Sequence, residues 1–212
     1  MESAHSDICG SFNKARGCFR LEKEPPRKWW NLHCTAINHT GPEMYAEVAH
    51  INDGPTWVRD ADGTTVRLCS YDQKYHYVRD DETNTVFCPG GMPAPADVEN
   101  REVEFHREKT IIRSNCAGLS VEQRVFVPQH HPLECTSLWI ENTSDRERRV
   151  SLFSYVMFDL TGCDAEGNRI GNTNFTEVRP ELGGVIAINR NTEVPTDRFK
   201  AFLITLNDFH DA

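Results

Sequence analysis

The sequence predicts an all-β protein, an antiparallel β-sandwich. Three observations carry that prediction. Apolar residues recur at every second position in one segment after another, the period of a strand with one buried face. Asp-Gly pairs and short polar turns separate these segments at intervals of about ten residues, the spacing of hairpin-connected strands. No stretch keeps the helical period of about 3.6 residues for the dozen positions a stable helix needs.

The elements follow in chain order. Trp29-Trp30-Asn31-Leu32 comes after a short strand, and two adjacent tryptophans on a regular strand cannot both face the core. Met44, Ala46 and Val48 alternate with Tyr45 and Glu47. Asp53-Gly54-Pro55 and Asp62-Gly63 read as turns, because Asp-Gly accepts the positive φ angles of tight hairpins. Trp57-Val58-Arg59-Asp60 is echoed by Tyr77-Val78-Arg79-Asp80, which predicts two hairpins built alike and not a repeat architecture. Cys88 to Pro95 is rich in proline, which cannot join a ladder, and reads as a long surface loop. Val103 and Phe105 alternate with Glu102, Glu104 and His106; Leu119, Val121, Val125 and Val127 alternate with Ser120, Glu122 and Arg124. Leu138-Trp139-Ile140 reads as a strand covered on both faces, and Val150, Leu152, Val156 and Phe158 as another half-buried one. The last strand, Phe199 to Leu206, runs into Asn207-Asp208-Phe209-His210 and stops on an apolar edge, so the sandwich is expected to be truncated at its C-terminal end. No linker divides residues 1–212, which read as one domain.

Composition narrows the function. With 23 Lys+Arg against 32 Asp+Glu the net charge is −9, and no basic stripe is present. That argues against nucleic acid, whose phosphates demand a basic footprint, and against a polybasic membrane surface. A 38% apolar content with 11 Phe and 4 Trp is globular composition. The longest apolar run, Val150–Phe158, falls far short of the roughly 20 residues of a membrane span. The N-terminus lacks a cationic segment followed by an apolar one, and the 8 cysteines show no C-x-x-C spacing. They read as reduced, small and buried, and the chain as cytoplasmic, where the sequons at Asn38, Asn142 and Asn174 carry no meaning.

Four constellations could carry chemistry. His130-His131 with Glu134 and Cys135 is the densest set of metal ligands, but adjacent histidines point apart and Pro132 turns the chain, so a loop is the simpler reading and no metal is expected. Asp80-Asp81-Glu82 could pair an acid with a base, yet an Asp after a strand ordinarily bonds its own turn. Trp29, Trp30, Trp57, Tyr75 and Tyr77 could stack on sugar rings or fill the core. No nucleophile elbow or Gly-rich phosphate loop occurs, so no self-sufficient catalytic set is visible.

Three stretches together resemble a known family. They are Trp29-Trp30-Asn31-Leu32; Tyr77-Val78-Arg79-Asp80-Asp81-Glu82-Thr83 with Val86-Phe87-Cys88-Pro89; and Phe126-Val127-Pro128, Leu133-Glu134, Leu138 to Ser144 and Arg148-Arg149-Val150. In this order they look like the N-terminal super-sandwich, galactose-mutarotase-like in shape, of the cellobiose phosphorylases. That family is glycoside hydrolase family 94, formerly glycosyltransferase family 36. One departure stands out: the family's glycine-containing segment after the long loop is replaced by Phe105-His106-Arg107-Glu108-Lys109-Thr110. The resemblance implies an inverting β-glycoside phosphorylase, with inorganic phosphate as co-substrate and no other cofactor. Its catalytic groups would sit in an (α/α)6 barrel downstream, absent from this chain, so no catalytic residue is carried over. It implies as partners a β-glucoside, a sugar 1-phosphate, the chain's own barrel and a second copy in a homodimer. Trp30, Trp57, Arg79 and Asp80 are the candidates for a substrate rim or an interface. A free-standing carbohydrate-binding sandwich is the alternative. A mutarotase-like site would draw on His76, His106 and Glu134, which no spacing singles out.

Overall fold

The computed structural model describes residues 9–36, 40–94, 97–171, 173–190 and 200–206. Its strands pair antiparallel in four sheets. The first sheet runs, side by side, β1 (Gly10–Asn13), β2 (Cys18–Leu21), β9 (Glu99–His106), β10 (Thr110–Cys116), β11 (Leu119–Phe126) and β12 (Cys135–Asn142). The second runs β15 (Arg169–Ile170), β14 (Thr161–Cys163), β6 (Thr65–Cys69), β5 (Thr56–Arg59), β4 (Glu43–Ala49) and β3 (Trp30–Cys34). Two three-stranded sheets complete it: β13 (Val150–Val156), β7 (Lys74–Asp80) and β8 (Thr85–Phe87); then β16 (Asn174–Arg179), β17 (Gly184–Asn189) and β18 (Lys200–Ile204). Among the described residues the only helix is a single 3-10 turn, Pro180–Leu182, and no helix is long and apolar enough to cross a membrane.

The all-β prediction therefore holds, and alternation decides what is buried. Leu119, Val121, Gln123 and Val125 face inward from β11, with Ile112 and Val103 beside them. Met44, Ala46 and Val48 face inward from β4. The two large sheets meet where Asn31 Nδ2 donates to the His106 carbonyl (2.7 Å) and the ring of His33 contacts the Thr110 hydroxyl (3.0 Å). A second apolar cluster gathers Val78, Phe87, Cys116, Leu119 and Val121 between β7–β8 and the first sheet.

The echoed tetrapeptides form two like hairpins. Asp60 closes one, its carbonyl accepting from Gly63 and its N–H donating to Thr64. Asp80 closes the other, accepting from the Glu82 N–H (3.0 Å) and the Thr83 hydroxyl (2.8 Å). At Gly54, φ is +146° and a Cβ would collide with the Glu47 carbonyl, so the turn into β5 requires glycine.

Several expectations are corrected. Leu138-Trp139-Ile140 is not covered on both faces. β12 is an edge strand, and Trp139 stays 56% exposed beneath the Arg124 guanidinium, 5.5 Å from its ring centre. The Val150 segment alternates, but no layer closes over it: Leu152 is 49% exposed and the strand ends at Val156, short of Phe158. The proline-rich loop is a surface loop only in part: Cys88, Pro89 and Gly90 are buried, with Gly90 packed on the Ile51 backbone, whereas Met92 and Pro93 are exposed. Cysteines 9, 18, 69, 88 and 116 are buried, whereas Cys34 and Cys163 are exposed. Asn38, Phe199 and Asn207–His210 lie outside the described residues.

Candidate functional site

The segment between β2 and β3 and the turns beside it create two neighbouring clefts that share Lys28. The larger, about 690 Å³, is walled by Phe12, Phe19, Trp29, Trp30 and Phe105, with Asn31 and His106 as polar members. The period-2 rule separates the two tryptophans. Trp29 packs against Phe19 (5.7 Å between rings) and the Leu21–Val103–Ile112 core, while Trp30 turns outward against Tyr71 (5.1 Å) with Lys28 above it (5.9 Å).

The smaller cleft, about 410 Å³, lies on the outward face of β7 and β13. Tyr75 and Tyr77 face it from β7, and Tyr155 reaches it from β13, where antiparallel register sets it opposite Tyr75. Lys28 bridges the fully buried Asp53 and the exposed Asp72 (2.8 Å) at its rim. The Tyr75 hydroxyl donates to Asp72 (3.0 Å). Hydrogen bonds from Asp53, Lys28 and Tyr75 hold the Asp72 carboxyl well below the usual range. Burial and the nearby carboxylates push the Tyr75 phenol upward, so it remains a donor. Burial and the Asp72 carboxylate push Asp53 up, against the pull of Lys28.

The four rim candidates separate. Trp30 and Trp57 share the outward face of the second sheet, on β3 and β5, where Trp57 stacks on Tyr45 (6.1 Å, 17° between planes). Arg79 lies on the same outward face as the tyrosines, bonded to Asp81 (2.6 Å) and over Phe153 (5.1 Å). Asp80 points the other way and is fully buried, its carboxylate accepting from Arg148 (2.6 Å) and from its own turn. Burial opposes its ionisation, but the Thr83 and Glu82 hydrogen bonds and Arg148 outweigh that and keep its carboxyl low.

His130 and His131 sit exposed in the turn before β12. Glu134 instead grips Lys74 (2.6 Å), which also donates to Thr56 (2.9 Å). His76 senses this pair, while His106 bonds Glu104 (3.1 Å) on the other large sheet, so the three mutarotase-like candidates do not assemble. Elsewhere, donor atoms of Cys18, Glu104 and His106 lie within 4.8 Å of one another. Glu104 is already engaged by Arg16 (2.6 Å), Arg113 (3.2 Å) and His106, and those guanidinium charges oppose a cation there. Lys28, Asp72 and Tyr155 were not singled out from sequence, whereas Tyr75 and Tyr77 were, as rings able to stack on a sugar or fill the core.

The chain matches the profile of the glycosyl hydrolase 94 supersandwich domain over residues 54–209. It belongs to that family. Relatives include the solabiose phosphorylase of Paenibacillus borealis, 27% identical over 61% of this chain and 17% of its own length. The N,N'-diacetylchitobiose phosphorylase of Vibrio furnissii is 26% identical over 64% and 17%, and that of Vibrio proteolyticus 24% over 81% and 22%. The chain thus spans about a fifth of the length of these relatives.

Proposed function

We propose that this supersandwich is the non-catalytic N-terminal domain of an inverting β-glycoside phosphorylase, a cytoplasmic protein exchanging a β-linked disaccharide and inorganic phosphate for a sugar 1-phosphate. The observation that carries this reading is the family match over 54–209, joined to relatives that are all disaccharide phosphorylases. The (α/α)6 barrel that does the chemistry would follow in the same polypeptide. There a carboxylic acid would protonate the glycosidic oxygen while phosphate attacks the anomeric carbon from the opposite face. On this chain Asp80 would act structurally, and Trp30, Trp57 and Arg79, all outward-facing, would meet the barrel, a substrate rim or a second copy. The test is phosphorolysis by the polypeptide that carries chain and barrel together, across cellobiose, laminaribiose, solabiose and N,N'-diacetylchitobiose. Release of a sugar 1-phosphate of inverted configuration from one of them is expected; none from a broad panel of β-linked disaccharides overturns the reading. The two aromatic clefts favour a second reading, a carbohydrate-binding sandwich without catalysis.

A further inference from the structure

We propose that the tyrosine-lined cleft on the outward face of β7 and β13 is a binding subsite for a β-linked oligosaccharide. This deepens the carbohydrate reading and rests on it for the class of sugar. A pyranose ring offers a face of C–H groups, which suits an aromatic ring, and an equatorial belt of hydroxyls, which needs donors and acceptors. The cleft supplies both. Tyr155 is exposed and Tyr77 half-buried, so these two offer ring surface; Tyr75, buried and 6.4 Å from Tyr77 at a tilt of 58°, forms the floor, and Met92 closes one wall. Lys28 and Asp72 form the rim, a fixed donor and a fixed acceptor.

The face is longer than the cleft. The register places Phe153 opposite Tyr77 and Ser151 opposite Arg79, so aromatic rungs lead to a polar one. There Arg79 and the Ser151 hydroxyl both donate to Asp81 (2.6 and 2.8 Å). From Tyr75 to Arg79 the strand advances about 13 Å at roughly 3.3 Å per residue, room for more than one ring. A linear, flat chain of β-linked sugars fits such a track; a single sugar would leave part of it open. The rim is also pre-ordered, because Asp53 and Asp72 hold the Lys28 ammonium from two sides, which lowers the cost of fixing a flexible side chain on binding.

Isothermal calorimetry of the 212-residue chain with cellobiose, cellotriose and N,N'-diacetylchitobiose tests this. Millimolar binding that tightens from disaccharide to trisaccharide is expected. Tyr77→Ala should weaken it about tenfold. Asp72→Asn removes the rim charge, keeps a side chain suited to the positive φ of 57° at that position and should weaken binding severalfold, so it serves if the tyrosine variant fails to fold. Trp139→Ala, on edge strand β12 of the first sheet, should bind as the parent does. No heat with any of the three sugars at tens of millimolar overturns the proposal, as does binding unaffected by both cleft variants. Failure of phosphorolysis with cleft-dependent binding intact would remove the phosphorylase reading alone. Phosphorolysis with silent calorimetry would remove the subsite alone.

Discussion

The sheet β10–β11 and the sheet β16–β18 have similar strands and opposite fates. Both are antiparallel and both are rich in apolar residues, which alternate in β11 and run together in β17 and β18. Around β10 and β11, Ile112, Leu119, Val121 and Val125 are wholly buried, because β7–β8 and the second large sheet close over them. In the β16–β18 sheet Phe175, Val178, Phe202 and Ile204 remain exposed, while Ala187 and Ala201 are buried with Val66, Leu160 and Ile170. Strand pairing satisfies the backbone in both, but apolar stabilisation scales with area removed from water, and the first buries large side chains against its covering layer where the second buries two alanines.

The outer side of the first sheet shows a further contrast. It carries a row of ion pairs: Arg20–Glu102, Arg16–Glu104–Arg113, Arg113–Glu122 and Arg124–Glu122. Charged residues opposite one another there let that face meet water, whereas the outward face of β7 and β13 presents tyrosine and phenylalanine. The exposed rings there are Phe153 and Tyr155, with Tyr77 half-buried, and the proposed subsite rests on that aromatic surface.

The largest effect should come from cutting the closed region. Phe87→Ala removes a fully buried ring and should cost about 3–5 kcal/mol, whereas Phe202→Ala in β18 should stay within about 0.5 kcal/mol. Urea denaturation of both variants measures the difference, and equal losses would mean that the β16–β18 sheet is as well covered as the core.

The next effect is acid sensitivity. Burial lowers His76 from an ordinary 6.5 to about 4, so the unfolded chain binds the proton more readily and stability falls as pH drops from about 6.5 towards 4. Burial works against ionisation of Glu104, yet His106, Arg16 and Arg113 hold it at about 2 against an ordinary 4.5, so its contribution, present above 4.5, is lost as pH falls towards 2. Both act in the same direction in successive windows. A thermal midpoint measured from pH 7 to 2 should decline throughout, and His76→Asn should flatten only the upper part.

The smallest effect concerns the largest side chain left unsatisfied in the closed region. Gln123 is fully buried, and neither atom of its amide has a hydrogen-bond partner among the described residues. Gln123→Leu keeps the volume and should raise stability by about 1–2 kcal/mol. A fall instead would mean that the amide is satisfied in solution, as by a buried water.

Much of this was legible in the chain itself. Alternation at Met44–Val48, Val103–His106 and Leu119–Val127 announced β4, β9 and β11, and the Asp60 and Asp80 hairpins followed from their turns. Where the reading failed, at Trp139, Leu152 and the loop after Phe87, the error concerned cover and not local conformation. Whether an apolar strand face is buried depends on which distant segment lies over it. The site was less legible still, because Lys28, Asp72, Tyr75 and Tyr155 are scattered in sequence and converge only through the β7–β13 register.

By itself, then, the sequence determined that the chain is built of antiparallel strands, since period-2 patterning and turn chemistry act over a few residues. Tertiary structure alone decided which faces are closed, that Asp80 serves a buried ion pair while Arg79 faces out, and that two tyrosines from one strand and one from another share a cleft. Those outcomes rest on long-range pairing and on the packing of one layer over another, which no local pattern encodes.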